Sequence, residues 1–314
     1  MRIFSKENEI FSLAKQSRLL PNVFFTLLIF VLITIIGNLF LLPLSFVNKL
    51  PISTRSLSGQ ATSFAVKLLL SFGSTILAFF LWVKVIEKRS IQSMGFTKGN
   101  IFNKYLRGFI IGILMMASSV LLMVLLGMIE FESGTPSTQG ISAIGGIFIV
   151  LIGWIVQGAS EEIMLRGWMM PVIGARHNVP LSIFISSSLF GALHLANNNV
   201  TVLSVINLVL FGMFAAFYVI WEGSLWGICA LHSAWNWTQG NLLGLEVSGM
   251  NTSGGILLNL KTKGSDIITG GLFGPEGGLI ETLFLSIGIV TLIILIQRKN
   301  INKSMAEYTE KEEG

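Results

Sequence analysis

The sequence predicts an all-α, polytopic transmembrane bundle of about eight helices. Composition and run length carry that prediction. Hydrophobic residues make up 52% of the 314 residues and charged residues only 12%, about half the charged share of an ordinary soluble domain. So little polar surface cannot cover a folded chain in water, and the solvent it suits is lipid. The apolar residues also fall in long runs. Crossing a bilayer takes about 20 mostly apolar residues in a helix, because the backbone must satisfy its own hydrogen bonds there.

Runs meeting that test extend from Val23 to Phe46, Phe64 to Ile86, Leu106 to Ile129 and Ile141 to Leu165. Four more follow, near Leu181 to Ala196, Val202 to Trp221, Leu225 to Leu245 and Leu279 to Gln297. The fifth and seventh are the weakest, interrupted by Ser, Asn, His and Gly. The residues before Arg18 are polar, with no short apolar signal core, so the first helix reads as an anchor. Residues 1–314 thus form a single transmembrane domain, without a repeat, and residues 141–245 carry its polar motifs. Cys229 is the only cysteine, so no intrachain disulfide can form.

Lys and Arg set the orientation. Arg2, Lys6, Lys15 and Arg18 precede helix one, and Lys84, Lys88, Arg89, Lys98, Lys104 and Arg107 follow helix two. Arg166 and Arg176 follow helix four; Arg298, Lys299 and Lys303 follow helix eight. These clusters fit an even number of spans in a cell membrane with both termini cytosolic. Residues 130–140, with Glu130, Glu132 and no basic residue, read as an outer loop; Lys49 and Arg55 fall on the wrong side. Residues 246–278, rich in Gly, Ser and Thr, read as a long outer loop, and residues 298–314 as a charged cytosolic tail, disordered from Ala306. The net charge of +5 does not point to nucleic acid, since the basic residues lie between apolar runs and form no basic face.

Ionisable groups inside a span are costly, and each is a functional candidate. Glu161, Glu162 and Arg166 end the fourth span, His194 lies on the fifth, and His232 and Asn236 lie on the seventh. Glu162 and Arg166 are one turn apart and can pair. Glu161 points about 100° away with no local cation; a carboxylate so placed is expected to have a raised pKa, suited to general acid or base work. Taken singly, each cluster has a plainer explanation: solvated residues at the membrane surface, a core histidine bonded to a carbonyl, polar glue between helices. Taken together, they supply a base, donors and room for water. The chemistry that fits is attack of water on a carbonyl, with Glu161 taking the proton, His194 orienting the water, and His232 with Asn236 stabilising the oxyanion. A peptide is the natural substrate, though another amide or ester would also fit.

These residues resemble the CAAX protease and bacteriocin-processing family, also called the Abi family. Glu161-Glu162-Ile-Met-Leu-Arg166 is similar to its Glu-Glu-x-x-x-Arg motif, Phe190-Gly-Ala-Leu-His194 to Phe-x-x-x-His, and His232-Ser-Ala-Trp-Asn236 to His-x-x-x-Asn. The resemblance covers about a third of the chain, from Ile141 to Leu245. It implies an intramembrane endopeptidase like the Ras-converting CAAX prenyl protease, acting on a peptide or protein that is lipidated or otherwise membrane-anchored. By the same resemblance Glu161 activates water with His194, His232 and Asn236 form the oxyanion site, and Glu162 and Arg166 support them. No cofactor is required by this reading. Glu161, His194 and His232 could also make a zinc site with an open position, although no His-Glu-x-x-His helix is present.

Three other readings compete. The chain could be a non-enzymatic membrane immunity or scaffold protein that keeps the polar cluster for helix packing. Cys229 and His232, three residues apart, could serve a thiol enzyme, but nothing near Cys229 would activate it. A transporter would be expected to show broken helices or inverted repeats, which are not seen. The basic loops flanking the Glu161 end of helix four predict a cavity open to the cytosol. One tension remains in these boundaries. If helix four stops at Leu165, Glu161 lies near its end while His194 is ~20 Å along the next span at ~1.5 Å per residue. To meet, helix four must run on or helix five must start deeper or tilt.

Overall fold

The computed structural model describes residues 4–5, 8–40, 55–133 and 138–312, the side chains at 303, 304 and 306–312 excepted. Residues 41–46 of the first predicted span, together with Arg2, Lys6 and Lys49, lie outside the described residues.

Five of the helices begin where a polar side chain caps the first turn. A short helix, α1 (Glu9–Ala14), starts at Asn8, whose side chain accepts from the Ile10 amide. α2 (Val23–Leu39) starts at Asn22 in the same way, accepting from Phe25. α3 (Leu57–Leu81) is capped by Ser56 and runs on through a π-helical turn at Trp82–Ile86. α4 (Ile101–Leu125) leads to a short strand, β1 (Ile129–Phe131). α5 (Ile144–Glu162) continues through a π-helical turn at Ile163–Met169 into α6 (Met170–Arg176). α7 (Val179–Leu193) is capped by Asn178 and has a proline in its first turn, where no amide is needed. Thr201 and Ser204 cap α8 (Val202–Glu222) reciprocally. α9 (Trp226–Trp237) also ends in a π-helical turn, Thr238–Leu242. The strand β2 (Leu260–Thr262) pairs antiparallel with β1, Ile129 opposite Thr262. A turn of helix, α10 (Asp266–Thr269), precedes α11 (Leu279–Glu312).

Five helical stretches are long and apolar enough to cross a bilayer: Leu57–Ile86, Ile101–Leu125, Gly140–Arg176, Val202–Glu222 and Leu279–Asn302. Val23–Leu39 and Val179–Leu193 are apolar but shorter. With α9, among the described residues, these correspond to the eight predicted apolar segments, though only five are long enough to span by themselves. α9 differs from the rest, since every residue from Gly227 to Trp237 is buried. It is the central helix of the bundle and has no face for lipid.

Three expectations are corrected. The fourth span does not end at Leu165; the helical stretch is 37 residues long and reaches Arg176. Glu161 is therefore near its middle, which removes the conflict with His194. Arg166 is accordingly no loop charge but a residue of the helix interior. The tail from Ala306 is not without structure, since α11 continues to Glu312.

The basic clusters share one end of the bundle. Arg176 Nη1 donates to the Leu20 carbonyl at 2.8 Å, and the Arg18 amide to the Glu87 carbonyl at 3.0 Å. Arg107 pairs with Glu222 at 2.6 Å, and Lys299 Nζ donates to the Trp221 carbonyl at 2.9 Å. At the other end, Glu130 and Glu132 face Lys263 and Lys261 across the β1–β2 ribbon. Clusters far apart in sequence thus gather on one side, as an even number of spans requires.

α4 packs closely on α9 through Gly108 and Gly112, four residues apart. A Cβ on Gly108 would collide with the Gly227 carbonyl, and one on Gly112 with the Leu231 carbonyl. Small residues at this spacing let two membrane helices touch backbone to backbone. Gly108→Ala should therefore destabilise the protein by ~1–3 kcal/mol through overpacking, read as a lowered melting temperature in detergent. Gly145→Ala, where a Cβ would meet nothing within 4 Å, is the control and should melt like the parent.

Candidate active site

The first polar cluster is buried within the bundle. Glu162 and Arg166 are both 0% exposed, so they are not solvated residues at a membrane surface. Arg166 Nη1 donates to Glu162 Oε1 at 3.3 Å, the one-turn pair expected from their spacing. The guanidinium also lies over the Phe190 ring, 4.8 Å from its centroid, where the negative ring face offsets part of its charge. α8 makes room here, because a Cβ on Gly212 would stand 2.8 Å from Ser187 Cα and 3.1 Å from Arg166 Nη2.

His232 joins the two glutamates. Its Nδ1 is 2.8 Å from Glu162 Oε1, and its Nε2 is 3.6 Å from Glu161 Oε2. Glu162, paired with Arg166, is an acceptor, so Nδ1 carries the hydrogen and donates. Glu161, expected to have no neighbour of this kind, thus has the His232 imidazole beside it. Asn236, one turn further along α9, donates from Nδ2 to Gln157 Oε1 at 2.7 Å, and Gln157 Nε2 donates to Glu161 Oε1 at 2.8 Å. Gln157 was not singled out from the sequence. Its signal was nevertheless present: a polar side chain in an apolar span, one turn before Glu161 on the same face.

His194 caps the end of α7 and is half-buried. Its Nδ1 lies 2.8 Å from the Phe190 carbonyl oxygen. A carbonyl only accepts, so Nδ1 donates, and Nε2 of the neutral ring keeps its lone pair. This is the bond a purely structural histidine makes, yet it also fixes which nitrogen is free to accept. Aromatic rings hold the two imidazoles in place. Phe190 stacks on Phe211 at 5.5 Å, and Phe211 meets His232 edge-on at 4.9 Å.

Glu161, His194, His232 and Asn236 all line one cavity of about 300 Å³. Glu162 and Arg166 do not line it; they stand behind His232. Gln157 joins them, Phe190 and Phe211 wall this end with their rings, and no Lys or Arg is among the lining residues. Residues 246–278, read from sequence as an outer loop, contribute Val247, Ser248, Met250 and Glu276 to the wall, and α11 contributes Glu281. Exposed Leu193 and Met250 stand at the rim. None of the basic clusters borders it. The cavity therefore extends from mid-bundle toward the end opposite them, and the expected opening at the basic end is corrected.

Glu161, His194 and His232 do not form a ligand group, and no cluster of three or more His, Cys, Asp or Glu able to hold a metal ion occurs among the described residues. Cys229 is buried and does not line the cavity, which leaves the thiol reading without a site.

Fold and site together define a multi-pass membrane protein with a polar, carboxylate-bearing cavity inside its helix bundle. Within that class, residues 143–238 match the family model described as Type II CAAX prenyl endopeptidase Rce1-like. The matched segment runs from the start of α5 to the end of α9 and contains all three motifs, in agreement with the resemblance they carry. It excludes α11 and residues 246–278. No curated protein and no solved structure matches the chain.

The buried pair yields a stability prediction. Glu162→Gln leaves Arg166 without its counter-charge in a fully buried place, which should cost about 3–5 kcal/mol. The double change Glu162→Gln/Arg166→Met should recover part of that loss in a detergent melting experiment. A single variant as stable as the parent would mean that the pair does not hold the bundle together.

Proposed function

We propose that this protein is an intramembrane peptidase that hydrolyses a peptide bond with water activated by Glu161. The observation supporting this most directly is the state of the Glu161 carboxylate. Oε1 is held by Gln157, while Oε2 is buried without a hydrogen-bond partner, 3.6 Å from His232 Nε2, and Glu161 stands on the cavity wall. One oxygen is thus fixed and the other is open to a water hydrogen. His194 Nε2 is the second acceptor. A water donating to both would turn an oxygen lone pair toward the carbonyl carbon.

Attack forms a tetrahedral intermediate as the proton passes to Glu161. Asn236 has a second amide hydrogen beyond the one given to Gln157, and His232, as the imidazolium with its Nδ1 hydrogen committed to Glu162, can donate a second hydrogen from Nε2. These two donors stabilise the oxyanion. Collapse breaks the C–N bond, and Glu161 returns its proton to the leaving amine. Glu162 and Arg166 act by positioning His232, and Gln157 by positioning Glu161 and Asn236. The family match supports a peptidase class over an immunity or scaffold protein.

Glu161→Gln keeps the shape and removes the base. Peptidase activity of the purified protein should fall by about 10²–10⁴-fold with an unchanged melting temperature. A variant that cleaves at the parent rate, or a parent with no activity in a strain whose phenotype survives Glu161→Gln, would favour the scaffold reading.

For topology we propose that the shared basic end is cytosolic, which places the cavity rim on the opposite side. Single cysteines at Lys98 and Met250 should then be labelled by an impermeant thiol reagent from opposite faces of oriented vesicles. Labelling of both from one face would overturn this arrangement.

A further inference from the structure

Building on the peptidase reading, we propose that Glu281 forms a subsite for a cationic side chain, Lys or Arg, of the peptide substrate. Glu281 lies in the first turn of α11, is 0% exposed, and lines the same cavity as Glu161 and His194. Neither of its carboxyl oxygens has a hydrogen-bond partner. The one donor beside it is the Ser119 hydroxyl, whose single hydrogen is shared with the Met116 carbonyl at 3.0 Å.

Glu276, the neighbouring carboxylate, is placed quite differently. Its Oε1 accepts from Trp235 Nε1 at 3.2 Å, and its Oε2 accepts from the Ser248 amide at 2.8 Å and hydroxyl at 2.7 Å. Those bonds tie α9 to residues 246–278, so Glu276 is used by the fold. Glu281 has no comparable set of donors: among the described residues only the Ser119 hydroxyl stands beside it. A buried carboxyl with empty acceptor sites is unfavourable until a donor arrives. An ammonium or guanidinium supplies both the charge and several N–H donors. A neutral side chain supplies at most a weak donor.

The rest of the wall points the same way. Glu161, Glu276 and Glu281 line the cavity, and no Lys or Arg does. A free C-terminal carboxylate entering it would meet carboxyl groups and no cation to receive it. The cavity thus favours a basic residue near the scissile bond over an anionic chain end.

The test uses the full-length protein in detergent and paired fluorogenic peptides that differ only by Lys or norleucine, one position at a time. At one position or more, the wild type should prefer Lys by about tenfold or more in kcat/KM. Glu281→Gln should bring that ratio to within about twofold of unity, and Glu281→Met should do so too if the glutamine variant fails to purify. Equal cleavage of all pairs by the wild type, or a ratio that survives both variants, overturns the subsite while leaving the peptidase reading standing. A second arm measures binding of the same peptides by fluorescence anisotropy in the Glu161→Gln background, where turnover plays no part. Tighter binding of the Lys peptide there, lost in Glu161→Gln/Glu281→Gln, supports the subsite even if the wild type cuts no peptide, which would sink the peptidase reading alone. Equal binding in both backgrounds rejects the subsite, in which case Glu281 serves only to start α11.

Discussion

A carboxylate buried inside an apolar bundle needs a counter-charge, and the structure around Glu162 is organised by that need. Arg166 supplies the charge from the same helix and His232 supplies a donor from α9. Each partner brings its own requirement. Arg166 needs space, which Gly212 provides, and an electron-rich neighbour, which Phe190 provides. His232 needs lateral support and finds it in Phe211. Four helices, α5 with its extension, α7, α8 and α9, are thereby fixed relative to one another by one buried ion pair.

A second set of contacts holds the cavity from the side that lies outside the family match. Asn207 on α8 donates to the Glu276 and Gly278 carbonyls at 2.8 Å each and accepts from Thr282 at 2.6 Å. Trp154 on α5 donates to Asn241 at 2.8 Å, and Asn241 in turn donates to the Ser253 and Gly255 carbonyls. Residues 246–278 are therefore bound to the bundle through buried side chains, not draped over it. The three motifs lie in the matched segment, while residues 246–278 and α11 supply much of the remaining cavity wall.

The sequence made the bundle and four of the cavity residues legible, because charge and imidazole in an apolar run have few inexpensive explanations. What it concealed has identifiable causes. The end of helix four was misread because Arg166 looks like a flanking charge, and only the partners at Glu162 and Phe190 show that it is internal. Gln157 was overlooked because an amide carries no formal charge, though it links Glu161 to Asn236. Glu276 and Glu281 escaped for a different reason. An acid in a Gly-rich connection and another in the first turn of a helix are what ordinary loops and helix starts contain, and nothing local reveals that both are buried against a cavity.

The burial of α9 from Gly227 to Trp237 has a consequence for how the protein is made. A helix that carries His232 and Asn236 and runs into Gln239 and Asn241 gains little from contact with lipid chains, and its 12 α-helical residues are too few to span the hydrocarbon on their own. Its stability in the bilayer comes from neighbours that satisfy those groups: Glu162, Gln157 and Trp154 on one side and residues 246–278 on the other. Insertion of α9 is thus a folding event in itself, coupled to the docking of α4 and α5. The biogenesis machinery would have to shelter the nascent segment until those helices were in place.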